Sequence, residues 1–233
     1  MQNTCSLLGA LLSLSFFLPA TLWSQATGTV EGRVALTQNL RESSEIASRQ
    51  IIRQYSVTSG KFGDAINDAV ETPPAIVVYL KSNSATSPVA PRSQPYVIMD
   101  QKNERFVPHV LAIERNTEVR FLNSDSIYHN VFSLSQAKSF DLGRYPQGKF
   151  RAVKFDKAGL VKVYCDIHTH MSAYILVLDT PYFAMTNDDG TFSLAGVPPG
   201  EYQLFAWYGR WQSRPISVKI NAAQVTIAEL TFP

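Results

Sequence analysis

The sequence predicts an all-β protein, and three observations carry that expectation. Short apolar runs alternate with polar residues along most of the chain after residue 26, the spacing of a half-buried strand and not of a helix face. The runs are separated by turn chemistry, of which Asp189-Gly190 and Pro198-Pro199-Gly200 are the clearest. The 13 Pro and 12 Gly among 233 residues work against long helices.

The first segment is not part of the fold. Residues 7–22 are apolar apart from Ser, Thr and small residues, no charge occurs from Met1 to Ala26, and the segment ends in Ser24-Gln25-Ala26, the small-x-small pattern of a signal-peptidase site. Residues 1–26 therefore read as a secretory signal, and the protein as periplasmic or secreted. The segment lacks a positive start, so an uncleaved anchor is the competing reading. Cys5 lies before the apolar run, where a lipoprotein cysteine would lie after it. Cleavage leaves one cysteine, Cys165, and no internal disulfide. A lone thiol in an oxidising compartment is buried, paired between chains or bound to a metal.

No later segment is apolar for long enough to cross a bilayer, so no membrane span is expected in the mature chain. The 21 basic and 19 acidic side chains leave a formal charge of +2, which gives no electrostatic reason to expect nucleic acid or an anionic membrane as partner.

Val30, Gly32, Val34 and Leu36 alternate with Glu31, Arg33 and Ala35, a strand with one buried face. Residues 37–74 lose that pattern and read as an irregular insertion. Residues 75–81 (AIVVYLK) are apolar on both faces, as in a strand central to its sheet. Residues 82–95, rich in Ser, Thr and Pro, read as a boundary loop. Seven strand-like runs then follow between Tyr96 and Asp179: YVIMDQ, VPHVLAIE, TEVRFLNS, HNVFSLS, FRAVKFD, LVKVYC and AYILVLD. That density predicts a compact sandwich or barrel. After Pro181 come TFSLAG, EYQLFAWY, ISVKI and QVTIAELTF, half-buried antiparallel strands between tight turns.

The chemistry is concentrated in Val163-Tyr164-Cys165-Asp166-Ile167-His168-Thr169-His170-Met171 and, upstream, in His129 of IYHNVFS. One thiolate, two imidazoles and a thioether are the ligand types of a trigonal copper site with a long axial sulfur. A short loop between adjacent strands can deliver Cys165, His168 and Met171 from one end of a sandwich, and His129 opens a neighbouring strand. Each residue alone has a plainer reading: a buried small hydrophobe for Cys165, core packing for Met171, a surface ring for His129. Their joint spacing overrides those readings. His170 reads as a loop histidine with an alternative role as ligand, and His109 as structural. A Cys-His-His zinc site is weaker, because structural zinc takes four strong ligands and methionine is a poor one. The chain shows no second metal cluster, nucleophile elbow or paired-carboxylate motif, so an enzyme is not expected.

The block from Tyr96 to Asp179 resembles the cupredoxins, the plastocyanin and amicyanin family, in the upstream HNV, the strand ending in YC and the Cys-x-x-His-x-x-Met loop. The resemblance implies a Greek-key β-sandwich over residues 96–180 with one type 1 (blue) copper ion. It implies His129 and His168 as imidazole ligands, Cys165 as thiolate and Met171 as axial thioether. It further implies that the Asn130 side chain ties the ligand loops together. The outer segments, GTVEGRVAL, AIVVYL and TNDDGTFSLAGVPPGEYQLFAWY, resemble the carboxypeptidase-regulatory-like, transthyretin-like β-sandwich. That implies a second small sandwich from residues 27–82 and 182–233, with the first inserted into it. Its aromatic run, Phe205, Trp207, Tyr208 and Trp211, reads as core packing with one or two exposed rings.

The function expected is electron transfer between redox partner proteins, for example a dehydrogenase or an oxidase. Electrons would cross the His168 edge through an apolar patch of Ile127, Tyr128, Ile167 and Met171. The near-neutral charge favours apolar docking over charge steering. The competing expectation is a copper-binding or cell-surface interaction module without electron transfer.

Overall fold

The computed structural model describes residues 26–38, 40, 75–83 and 96–232. The signal segment up to residue 25, nearly all of the 37–74 insertion and residues 84–95 lie outside the described residues. Those described are all-β.

Between residues 96 and 178 nine strands follow one another: β3 (Tyr96–Gln101), β4 (Phe106–Val107), β5 (Val110–Glu114), β6 (Thr117–Asn123), β7 (His129–Ser135), β8 (Lys138–Tyr145), β9 (Phe150–Phe155), β10 (Gly159–Tyr164) and β11 (Ser172–Leu178). They form two sheets, in the orders β4-β3-β6-β9 and β5-β11-β10-β7-β8. The inner faces meet in one core that includes Met99, Phe121, Val131, Tyr145, Phe155, Val163 and Ile175. The alternation of β6 and β10 sends Val119, Phe121, Val161 and Val163 into this core. Each large side chain so buried contributes about 1.5–3 kcal/mol.

Two sequence expectations change here. The run VPHVLAIE is not one strand: it breaks at Pro108, so that β4 pairs with β3 in one sheet while β5 pairs in parallel with β11 in the other. Proline has no N–H to continue a ladder. Strand β8 (KSFDLGRY) was not among the seven runs. It is an edge strand whose Phe140 and Leu142 are only partly buried, so its apolar alternation is weak.

The remaining strands are β1 (Gly28–Ala35), β2 (Val77–Ser82), β12 (Phe183–Met185), β13 (Thr191–Val197), β14 (Gly200–Tyr208), β15 (Trp211–Gln212), β16 (Ile216–Ile220) and β17 (Val225–Thr231). They build the sheets β13-β1-β17 and β12-β2-β14-β15, with β16 also pairing β14. Val30, Val34, Leu80, Phe192, Leu204, Ile220 and Leu230 fill the core between them. Gly32 is required where β1 lies against β17, because a Cβ there would fall 1.7 Å from the Ala228 carbonyl oxygen.

A third apolar cluster joins the two halves. Val77 and Tyr79 of β2 and Trp207 of β14 pack against Val110, Leu176 and Leu178 of β5 and β11. The doubly apolar run of residues 75–81 follows from this arrangement: Val78 and Leu80 face one core while Val77 and Tyr79 face the other sandwich. In the aromatic run, Phe205 stacks on Tyr79 at 5.2 Å, Trp207 meets Tyr174 edge-on at 5.7 Å, and Tyr208 stacks on Trp211 at 5.9 Å.

Candidate metal centre

The centre forms at one end of the first sandwich, where β10 stops, β11 starts and β7 begins. Strands β10 and β11 stay in register to the pair Tyr164↔Ser172. The seven-residue loop 165–171 then closes on itself: the Cys165 N–H donates to the Met171 carbonyl at 3.3 Å and the Met171 N–H to the His168 carbonyl at 2.9 Å. The Tyr164↔Phe132 pairing brings the start of β7 beside this loop. A bulge against β8 between Asn130 and Phe132 accompanies burial of three successive side chains, His129, Asn130 and Val131. Bulges re-aim side chains in this way.

The result brings three donors together. His129 Nδ1 and His168 Nδ1 are 3.0 Å apart, and Cys165 Sγ lies 3.9 Å from the first and 3.8 Å from the second. His129 and Cys165 are buried and His168 is half-buried. Two ring nitrogens that close need a proton or a cation between them. The circle through the three atoms has a radius of about 2.1 Å, close to the bonds of about 2.0–2.1 Å from a first-row metal to imidazole nitrogen and about 2.3 Å to thiolate sulfur. The donor set therefore fits a single ion. Thiolate with two imidazoles suits copper in either oxidation state.

Met171, the fourth expected ligand, is 1% exposed and belongs to the same core cluster as Cys165. It cannot line an exposed patch, which corrects that part of the sequence reading. Ile127, Tyr128 and Ile167 are exposed at this end, at 40%, 58% and 37%.

The protein environment prepares the donors. Burial pushes the Cys165 thiol up, but the His129 ring and the backbone N–H groups of Asn130, His168 and Ile167 outweigh it, bringing the thiol down to about 6. Burial lowers His129, but Cys165 and Asp125 more than compensate and raise it above the ordinary imidazole value. Asp125 was not foreseen from the sequence. Its Oδ2 accepts from His129 Nε2 at 2.8 Å, and its two oxygens accept the N–H groups of Asn103 at 2.6 Å and Glu104 at 2.8 Å. Burial raises this carboxyl, and the Glu104 amide, His129 and the Asn103 amide together take it below its usual range. Asn123 orders the same loop, donating to the carbonyls of Ile127 and Tyr145 and accepting from the Asp125 N–H. A carboxylate four residues before a candidate ligand was the available sequence signal.

The Asn130 side chain does not reach the ligand loop. Its amide donates to Asp141 on β8 at 2.7 Å, and it is the Asn130 backbone N–H that serves the Cys165 sulfur. His170 is not among the three grouped donors: its ring meets that of His168 edge-on at 6.1 Å, and its Nε2 lies 3.2 Å from the Glu104 carbonyl oxygen and 3.7 Å from the Glu104 carboxylate. The His109 ring packs edge-on against Tyr174 at 5.6 Å on the opposite face of the β5–β11 sheet, apart from the centre.

No protein-family model matches the chain, and no curated protein matches it. Among solved structures, it is similar to the copper-containing nitrite reductase of Thermus scotoductus SA-01 at 22% identity and TM-score 0.36, over 40% of this chain. That match spans only 25% of the reductase. It is also similar to amicyanin in a Cu(I) form, at 17% identity and TM-score 0.35, over 43% of this chain and 99% of the amicyanin. An oxidised amicyanin variant aligns at 14% identity and TM-score 0.35, over 43% and 92%. Among the described residues no helix is long and apolar enough to cross a membrane.

Proposed function

We propose that the chain is an exported copper protein that holds one type 1 copper ion between His129, Cys165, His168 and Met171 and passes single electrons between redox partner proteins. The observation that carries this reading is the triangle of two imidazole nitrogens and one sulfur around a single point. Bound copper supplies a couple between Cu(II) and Cu(I). Cys165 presents sulfur that ionises near pH 6. Asp125 holds the proton of His129 on Nε2 and so leaves Nδ1 as a lone pair. Met171 offers a weak thioether from a buried position. The loop that carries three of these residues is closed by its own backbone hydrogen bonds, so it holds one geometry in both oxidation states. Four protein donors leave no open position for a substrate, which supports a carrier over an enzyme. His168, half-buried beside exposed Ile167, is the edge through which electrons pass.

The partition of strands among sheets supports two units, residues 96–180 as the copper domain inserted between 27–82 and 182–233, the latter being carboxypeptidase-regulatory-like. The apolar cluster between them supports a rigid junction.

Loading the purified protein with Cu(II) tests the function. The expected result is an intense sulfur-to-copper absorption toward the red end of the visible spectrum and a reversible potential, both lost in Cys165→Ser. A colourless protein that binds only Cu(I) overturns electron transfer in favour of a copper-holding module.

A further inference from the structure

We infer that strand β17 is the seat of a symmetric dimer, in which it pairs antiparallel with β17 of a second copy about a two-fold axis at Ile227. The strand carries no donor of the metal centre, so the inference does not depend on electron transfer.

Strand β17 stands at the edge of the three-stranded sheet β13-β1-β17. Two bonds at its ends fix which way its backbone points. The Phe232 N–H donates to the Ala35 carbonyl at 3.3 Å, and the Gln224 carbonyl accepts from the Thr29 N–H at 3.0 Å. Thr29 and Ala35 both belong to β1, so the even-numbered residues of β17 turn N–H and C=O toward β1 and the odd-numbered ones turn theirs to the open side. Among the described residues, the N–H groups of Val225, Ile227 and Glu229 have no backbone partner there. Strand β16 does not take that place: it belongs to the other sheet and meets β17 through the Thr226 hydroxyl, which donates to the Lys219 carbonyl at 3.2 Å.

An open edge is ordinarily blunted by lysine, proline or a bulge. Strand β17 has none of the three, and it shows Val225 at 56% and Ile227 at 71% exposure. The outward positions next to it are polar: Thr29 beside Val225, Glu31 beside Ile227 and Arg33 beside Glu229 in β1, then Ser193 and Thr191 in β13. The apolar exposure is thus confined to the edge strand, which fits strand pairing and not packing of the whole sheet face.

The strand is complementary to itself. Pairing about Ile227 lets that residue exchange both backbone bonds with Ile227 of the second copy, and lets Val225 exchange both with Glu229 of the second copy, so the three outward-turned residues of each chain are satisfied. The one charge of the strand, Glu229, then lies beside an apolar residue and far from its equivalent. Moving the axis toward Glu229 sets the two carboxylates first diagonal and then opposite, where like charges repel. Moving it toward Val225 leaves Glu229 without a strand partner. A single strand pair buries less than a standard interface, so the dimer is a weak one.

Sedimentation equilibrium of the purified protein tests this. The expected result is a reversible monomer–dimer equilibrium. Ile227→Lys sets two like charges against each other on the axis and weakens the dimer at least about tenfold. Leu134→Lys removes an apolar residue that is 81% exposed on the other sandwich and leaves the dimer unchanged. Both positions are exposed, so circular dichroism and thermal unfolding are expected to match the parent. A charge pair reads the register: Val225→Glu, facing Glu229 of the second copy, weakens the dimer about three- to tenfold more than Val225→Lys does. A protein that is monomeric at every concentration leaves the edge to a strand of another protein and overturns the inference. Equal effects of Ile227→Lys and Leu134→Lys, or of Val225→Glu and Val225→Lys, overturn it as well.

Discussion

Asp125 accepts a hydrogen bond of 2.8 Å from Nε2 of His129, and that contact decides which ring nitrogen stands in the triangle with Cys165 and His168. The carboxylate is itself fixed by two backbone N–H groups of the 102–105 turn, so the orientation of a candidate ligand is set from a neighbouring strand pair.

Replacing Asp125 by Asn keeps the shape but removes the anionic acceptor. The ring becomes less basic and one amide loses its partner. Cu(II) affinity is expected to fall about 10–100-fold, with a rise in potential, since a weaker donor favours Cu(I). Competition with a chelator of known affinity, together with voltammetry, checks both.

The Cys165 thiol gives a pH signature in the metal-free protein. Its thiolate absorbance in the ultraviolet is expected to titrate with a midpoint of about 6, against an ordinary value of 9.0, and to move upward in His129→Gln. Because the folded value is depressed, the stability this group contributes is full above the unfolded value and is lost as pH falls through about 6. Denaturant titrations of wild type and Cys165→Ser across that range measure the difference.

Met171→Leu conserves volume in a buried position, so the metal-free fold should lose less than about 1.5 kcal/mol. The copper protein is expected to keep its colour and to gain potential, because the thioether donor that favours Cu(II) is gone. Loss of copper with an intact fold would mean that Met171 is needed to retain the ion.

Trp207 tests the junction of the two sandwiches. It is 5% exposed and packs against Tyr174 across the boundary. Trp207→Ala should cost about 3–5 kcal/mol and split one cooperative unfolding transition into two. A single transition shifted as a whole would show that the halves remain coupled without this ring.

The strand alternation was legible because burial on one face writes itself into every second residue, as in Val161 and Val163 of β10 or Val119 and Phe121 of β6. Strand β8 was harder to read, since an edge strand buries little. The donor residues were legible through type and spacing: Cys165, His168 and Met171 sit on one loop, and His129 on the adjoining strand. Asp125 was not, because its place four residues before His129 gains meaning only when the 102–105 turn closes over it.

The sequence by itself determined the class of fold, the run that is buried on both sides and the chemical kinds of donor, all of which depend on local order and residue type. Only the tertiary structure decided the rest. It set the distances that make three donors a triangle and the contact that selects Nδ1 of His129. It also turned Met171 inward while leaving Ile127, Tyr128 and Ile167 at the surface. Several of these pairings join residues distant in the chain, and even Asp125, four residues from His129, is fixed by the 102–105 turn; their energies depend on burial and direction, which no linear pattern records.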